Sequence, residues 1–320
     1  MTVRGRYAPS PTGPIHLGNA RTALAAWLSV RSQHGAFIWR VEDLDGPRVV
    51  AGAAEEQMRD MAWLGLDWDE GPQPGGAELG PHAPYFQSQR GDLYEAALAR
   101  LAQSGRLFPC RRSRKDLREL ASAPHGASGL PAYPRRWRPS NLGPNWFDTP
   151  PTDAALRFQV DEGDVCFDDP AQGRVCEDTA SHVGDFVLKR RDGVYAYQLA
   201  VVVDDLAMQI SEVVRGADLL DSTARQIALM AALRSPPPTF AHLGLILAPD
   251  GEKVSKREGG WTLAALRERG VSAEHVVGWL GWTLGLTDAP DPCAPADLII
   301  RWRWMPRQAA AFVLDDDPFG

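Results

Sequence analysis

The sequence has few cysteines, no long hydrophobic run and no excess of basic residues, and each absence excludes a class of protein. The four cysteines among 320 residues are Cys110, Cys166, Cys176 and Cys293. They lack the short paired spacing of a disulfide framework or a zinc knuckle, so we expect four reduced structural thiols. No apolar stretch is long enough to span a bilayer, and no apolar leader precedes the first strand. We therefore expect a cytoplasmic protein with no membrane contact.

The net charge of −7 argues against a protein that coats nucleic acid indiscriminately, because nonspecific affinity comes mostly from neutralising phosphates. Any RNA contact must then be local. Basic clusters occur at residues 111–115, 135–138, 189–191 and 301–303. For each cluster alone, a solvated surface explains the charge as well as RNA does. Trp137 and Trp302 slightly favour RNA binding as the role of two of the clusters, because aromatic rings stack on splayed bases.

Strand-like and helix-like segments alternate along much of the chain, which predicts βαβ units and a parallel sheet. The first half has strands at residues 3–8 and 37–41 and helices at about 19–31 and 53–64. The second half has strands at residues 185–189, 209–214 and 243–247 and a helix at 223–233. Two such halves predict an α/β fold with a doubly wound, Rossmann-type sheet. Its ligands would collect where the winding direction reverses.

Two short segments carry residues suited to phosphate chemistry. His16-Leu17-Gly18-Asn19 follows a Pro- and Gly-rich turn and opens a helix, whose first backbone N–H groups and positive dipole end suit a triphosphate. Gly18 lets a nucleotide approach the backbone. Lys253 and Lys256 lie in a segment flanked by glycines, which is typical of a mobile loop that closes over phosphates.

These segments, with residues 6–10, 40–45, 197–205 and 212–219, occur in the order found in the glutamyl-tRNA synthetases of class I. The chain resembles that family over roughly its first four-fifths. Only about sixty residues follow the Lys253 segment, so the chain is more similar to the short paralogues, the glutamyl-queuosine tRNA(Asp) synthetases. That resemblance implies ATP-dependent activation of L-glutamate without tRNA, followed by transfer of glutamate to the queuosine base in the anticodon loop of tRNA(Asp).

The resemblance also implies a set of site residues. The catalytic candidates are His16, Lys253 and Lys256. ATP, with Mg²⁺, is expected to contact His16, Gly18, Asn19 and Lys256. Glutamate is expected to contact Arg6, Tyr7, Ala8, Pro9, Ser10, Glu42, Tyr197 and Arg215. Either arginine can form a fork with a carboxylate, Glu42 suits the ammonium and Tyr197 adds a hydroxyl, but the sequence leaves open which arginine takes which carboxylate.

We expect four regions: residues 1–105 and 185–260 as the two halves of the catalytic domain, 106–184 as an inserted acceptor-binding domain placed by resemblance, and 261–320 as a helical tail. Short members of the family hold zinc with three cysteines and a tyrosine. Here Cys110 and Tyr133 remain, whereas Arg112 and Trp137 stand at the other two places, so we expect no zinc.

Three functional hypotheses remain open. The first is the glutamyl-queuosine synthetase, acting as a monomer on an anticodon stem-loop. The second is a truncated glutamyl-tRNA synthetase that charges a tRNA 3′ end. The third is a nucleotidyltransferase-like or noncatalytic paralogue, which the combination of Arg6, Glu42 and Arg215 disfavours.

Overall fold

A computed structural model describes residues 2–113, 116, 133–143, 145–252, 261–314 and 317–319. The β-strands are β1 Arg4–Tyr7, β2 Ala36–Trp39, β3 Gly71–Pro72, β4 Glu78–Leu79, β5 Leu107–Cys110, β6 Ala155–Phe158, β7 Asp164–Asp169, β8 Gly173–Asp178, β9 Phe186–Lys189, β10 Glu212–Gly216, β11 Thr239–Leu243, β12 Ile246–Leu247 and β13 Phe312–Val313. The α-helices are α1 Leu17–Arg31, α2 Ala53–Trp63, α3 Gly91–Gln103, α4 Tyr197–Ala207, α5 Leu220–Ala232, α6 Leu263–Glu268, α7 Ala273–Thr283 and α8 Pro295–Ile299.

A parallel sheet in the order β11-β10-β1-β2 forms the centre of the molecule. Helix α1 connects β1 to β2, and helix α5 connects β10 to β11, so the two halves wind outwards in opposite directions from the β1–β10 pair. This arrangement confirms the doubly wound α/β fold. Helix α1 is rich in Ala and Leu and almost wholly buried, because it packs against the sheet on one side and against α7 and α8 on the other.

Two strands predicted from the sequence do not lie where they were expected in the parallel sheet. Residues 185–189 were expected in the parallel sheet, but β9 joins an antiparallel sheet in the order β5-β6-β9. The expected strand at residues 243–247 is split: β11 ends at Leu243, and β12 pairs with β13 instead. The break follows from Gly244, where a Cβ would lie 1.9 Å from the carbonyl oxygen of Ala310. The close approach thus ends the strand within a run of apolar residues, where no polar residue in the sequence marks the break.

The strands β7 and β8 form an antiparallel hairpin in which Cys166 faces Cys176. These two cysteines form a disulfide, so the expectation of four reduced thiols was wrong. Nine residues separate them along the chain, and only the hairpin register makes them neighbours. Cys110 and Cys293 are free thiols.

The helices after the parallel sheet complete its core. Leu266, Val276 and Leu280 are fully buried in the same cluster as α1, as the helical spacing predicted. Trp302 also packs against this cluster and meets Trp304 edge to face, with 5.1 Å between the ring centroids. Its ring is therefore used in packing. Among the described helices, none combines the length and the apolar character that crossing a bilayer requires.

Candidate active site

The carboxyl ends of β1, β2 and β10 meet at one cavity of about 480 Å³. The cavity lies where the winding of the sheet reverses, which is the usual ligand position in this kind of fold. Its lining includes these sequence-predicted residues: Arg6, Tyr7, Ala8, Pro9, Ser10, His16, Gly18, Asn19, Glu42, Tyr197 and Arg215. Every described member of the predicted site is thus at the same place. The structure does not describe Lys253 and Lys256.

His16 caps the N-terminus of α1 at the floor of the cavity. Its Nδ1 accepts the backbone N–H of Asn19 at 3.3 Å, so a neutral imidazole carries its proton on Nε2 and can act as a donor there. A Cβ on Gly18 would lie 3.1 Å from this imidazole, which explains the glycine. His16 also forms an antiparallel bridge with Thr262, so residue 262 lies beside the helix cap.

Arg40 is the centre of a buried ion-pair network beneath the cavity. Its guanidinium donates to Asp205 at 2.6 Å and to Glu42 at 3.0 Å. Asp204 approaches Arg40 at 3.9 Å but pairs more closely with Arg90, at 2.6 Å. Burial is the main reason why the pKa of Glu42 lies above its ordinary value, and Arg40 opposes that shift. Glu42 is therefore held in place by one partner and still faces the cavity.

The charged side chains that line the cavity are of both signs. Arg6 and Arg215 are positive, whereas Glu42 and Asp218 are negative. Arg6 lies 3.5 Å from Asp205, its Nε makes no hydrogen bond, and its side chain is 6% exposed. A buried guanidinium whose N–H donors are not all used can pair with an anionic group of a ligand. The cavity thus offers both cationic and anionic groups to a ligand.

A second cavity of about 1020 Å³ adjoins the first, and Ser10, Glu42 and Tyr197 line both. Three arginines also line it: Arg48, Arg190 and Arg191. Arg48 and Arg190 are more than half exposed and each pairs with a neighbouring aspartate. The molecule thus has a small, charged chamber beside a larger one whose lining includes three arginines.

The class I tRNA synthetase family described as "tRNA synthetases class I (E and Q), catalytic domain" matches residues 2–290. The chain belongs to this family. A protein named glutamyl-Q tRNA(Asp) synthetase from Symbiobacterium thermophilum is 50% identical over 301 residues, with 92% of this chain and 90% of that protein covered. A glutamate–tRNA ligase from Dehalococcoides mccartyi is 42% identical, with 88% of this chain but 56% of that protein covered.

A crystal structure of the glutamate tRNA ligase from Elizabethkingia meningosepticum, in complex with its amino acid, has the same fold. It superimposes with a TM-score of 0.82 at 30% identity, with 98% of this chain and 67% of that chain covered. The resemblance inferred from the sequence motifs is therefore confirmed at the level of the family and of the fold.

The metal site of short family members does not fit the residues present here. The Cys110 thiol lies 3.2 Å from the Tyr133 hydroxyl. The Trp137 ring packs edge to face on Tyr133 at 5.5 Å, and the Arg112 guanidinium lies 5.0 Å from the centroid of the Trp137 ring. One thiol and one phenol cannot complete a tetrahedral zinc site. Across the described ranges, no three His, Cys, Asp or Glu side chains are grouped to hold a metal ion.

Sequence reasoning missed the residues behind Arg215. Its guanidinium donates to His242, Gln226 and Thr223, all of them buried. The available signal was His242 itself, a histidine between the apolar residues Ala241 and Leu243 of β11. Nothing local indicated its partner Asp169, which lies 73 residues away in the sequence.

Proposed function

We propose that this chain uses ATP to activate L-glutamate as glutamyl-adenylate, without tRNA, and transfers glutamate to the queuosine base in the anticodon loop of tRNA(Asp). The observation that carries the proposal is the small chamber, in which two arginines and Glu42 border a space suited to an amino acid with two carboxylates and an ammonium. The 50% identity to a glutamyl-Q tRNA(Asp) synthetase supports the second step.

Specificity for glutamate follows from the charges in the chamber. Arg6 and Arg215 each offer unused N–H donors to a carboxylate, and Glu42 accepts the ammonium. A glutamine side chain would leave a buried guanidinium without its anion, which costs far more than a missing methylene group. Tyr197 lies between the two chambers and adds a hydroxyl to the wall of the pocket.

Activation places one glutamate carboxylate oxygen in line with the α-phosphorus of ATP. A bond forms between this carboxylate oxygen and the α-phosphorus, while the bond from that phosphorus to the pyrophosphate oxygen breaks. His16, with its proton on Nε2, donates to a phosphate oxygen as negative charge grows there, and the first turn of α1 supports the same charge. Lys253 and Lys256 are assigned to the departing phosphates by resemblance. Mg²⁺, when bound to the triphosphate, supplies further neutralisation of charge.

Transfer uses the second cavity. A nucleoside that enters between Arg48 and Arg190 approaches the adenylate beside Ser10, Glu42 and Tyr197, which line both cavities. A hydroxyl of the nucleoside attacks the activated carboxyl carbon, an ester forms and AMP leaves with the former carboxyl–phosphate oxygen. We further propose that the protein acts as a monomer in the cytoplasm, where its tRNA substrate is found.

The test is glutamate-dependent exchange of pyrophosphate into ATP, measured for each amino acid with and without RNA. We expect exchange with glutamate alone, and a loss of about 10²-fold or more in His16→Ala or Lys256→Ala, the scale of one preorganised charge donor. Exchange that requires added tRNA would argue against the proposal. The second candidate, charging of a tRNA 3′ end, is favoured by the similarity to glutamate–tRNA ligases.

A further inference from the structure

Arg215 is held from behind by three neutral side chains. Its Nε donates to Nε2 of His242 at 3.0 Å, and its two terminal nitrogens donate to Gln226 and to Thr223, each at 2.8 Å. A guanidinium has five N–H donors, so one remains on each terminal nitrogen. Because Arg215 lines the small chamber, these two donors form a fork towards a ligand carboxylate. The direction of that fork depends on the three contacts behind it.

His242 is paired with Arg215 across β10 and β11 and is completely buried. Its Nδ1 lies 2.6 Å from Oδ2 of Asp169, whose side chain is also completely buried. Since a guanidinium can only donate, Nε2 must accept from Arg215, and the imidazole proton must be on Nδ1, where it is donated to Asp169. Thr223, which accepts from Arg215, has its own hydroxyl proton to donate to the same Nε2.

Asp169 reaches this position from the β7–β8 hairpin, outside the parallel sheet. Exposure alternates along β7, so Phe167 and Asp169 face β11 while Asp168 faces solvent. Phe167 packs against His242 with 6.3 Å between the rings. The other carboxylate oxygen of Asp169, Oδ1, accepts the backbone N–H groups of the next turn, from Ala171 and Gln172. The carboxylate orientation is thereby fixed, and only Oδ2 is directed at the histidine.

We infer that Asp169 and His242 are positioning residues that keep the fork of Arg215 directed at the substrate carboxylate, an inference that rests on the proposed glutamate site. Asp169 selects the imidazole tautomer, the tautomer makes Nε2 an acceptor, and the acceptor fixes the plane of the guanidinium. Burial lowers the pKa of His242, and the cations Arg215 and Arg6 act in the same direction, whereas Asp169 opposes them. The imidazole is thus kept neutral, as an acceptor at Nε2 requires.

Asp169→Asn tests this chain of contacts with almost no change in shape. The amide oxygen must stay at the Oδ1 position to accept the two backbone N–H groups, so the NH₂ group faces Nδ1 of His242. It donates there, the imidazole proton moves to Nε2, and an N–H then opposes the Nε–H of Arg215. An isosteric substitution of this kind inactivates the serine protease triad through the wrong tautomer. We expect the KM for glutamate to rise about 10- to 100-fold, with the KM for ATP unchanged.

Asp168→Asn is the matched control, because it makes the same substitution on the solvent-facing side of the same strand. We expect this variant to have the glutamate KM of the wild-type protein. Asp169→Asn that folds with the wild-type melting temperature and also retains the wild-type glutamate KM would overturn the inference. A wild-type protein with no glutamate-dependent exchange at all would instead overturn the proposed function.

The ¹⁵N resonances of His242 give a readout that does not require activity or a stable variant. In the wild-type protein we expect the proton on Nδ1 and an unprotonated Nε2, and in Asp169→Asn the reverse. A wild-type imidazole protonated at Nε2 would contradict the inference, whatever the kinetics of the variants and whether or not the asparagine variant folds.

Discussion

In the proposed mechanism, Glu42 is the carboxylate that recognises the substrate ammonium. Glu42→Gln keeps the size of the side chain and removes its charge, while Arg40 retains Asp205 as a partner. A hydrogen bond to a charged group contributes about 1.5–3 kcal/mol, so we expect the KM for glutamate in pyrophosphate exchange to rise about 10- to 100-fold. Glu55→Gln, an exposed glutamate on α2, is the control and should behave as wild type. An unchanged KM in Glu42→Gln would place the ammonium elsewhere.

The pH dependence of glutamate binding follows from the same residue. Burial raises the pKa of Glu42, so its carboxyl takes up a proton at a higher pH than an ordinary glutamate does. The protonated form cannot pair with an ammonium. We therefore expect the KM for glutamate to rise as the pH falls, with the rise beginning above the ordinary glutamate pKa of 4.5.

The control for this pH effect is His242→Gln, because His242 is a titratable group in direct contact with Arg215. A carboxamide oxygen can accept from Arg215 but does not titrate. The acidic rise in KM should persist in this variant and disappear in Glu42→Gln. Loss of the rise in KM in His242→Gln would show that titration of the histidine, not of Glu42, causes the pH dependence.

At the scale of elements, aromatic packing replaces metal ligation at the end of β5. Cys110 is 4% exposed and Tyr133 is 5% exposed, and Trp137 and Arg112 cover them. Because two of the family's four ligand places hold side chains that cannot coordinate zinc, we expect elemental analysis of the purified protein to find no stoichiometric zinc. About one zinc per chain, lost in Cys110→Ser, would show that other residues complete a site.

The elements show which parts of the structure can be predicted from a sequence. The boundaries of α1 and α2 agree with the helices predicted from the sequence within two residues, because helical spacing is a local property. The place of β9 could not be predicted, since a short apolar strand fits a parallel or an antiparallel sheet equally well. The pairing of Cys166 with Cys176 likewise depends on a hairpin register that no spacing rule reveals.

The same distinction applies to the candidate site. Arg6, Glu42 and Arg215 lie at strand ends, where the fold class alone predicts that ligand contacts converge. The residues that hold these side chains in position cannot be predicted in this way. Asp169, His242 and Arg215 come from three strands, and their order in space follows from how the β7–β8 hairpin docks on the parallel sheet.

At the scale of the whole molecule, the proposed mechanism assigns activation and transfer to two adjoining cavities. In it the small chamber holds glutamate and the adenylate, whereas the larger one is bordered by Arg48, Arg190 and Arg191. Single-stranded loops present splayed bases, which suit a chamber of about 1020 Å³ better than a duplex does. We therefore expect that an anticodon stem-loop of tRNA(Asp) bearing queuosine is a sufficient acceptor of labelled glutamate.

In the proposed mechanism the rim contacts RNA through charge, so transfer should weaken as salt rises, and more steeply than pyrophosphate exchange does. Arg190→Gln should lower transfer to the stem-loop and leave exchange unchanged. Arg174→Gln removes an equally exposed arginine from outside the cavity and should affect neither reaction. The decisive measurement uses tRNA whose 3′-terminal diol has been oxidised with periodate while the queuosine diol is protected. If oxidation at the 3′ end abolishes attachment, the ester is formed there, and the chain charges tRNA as the glutamate–tRNA ligases do.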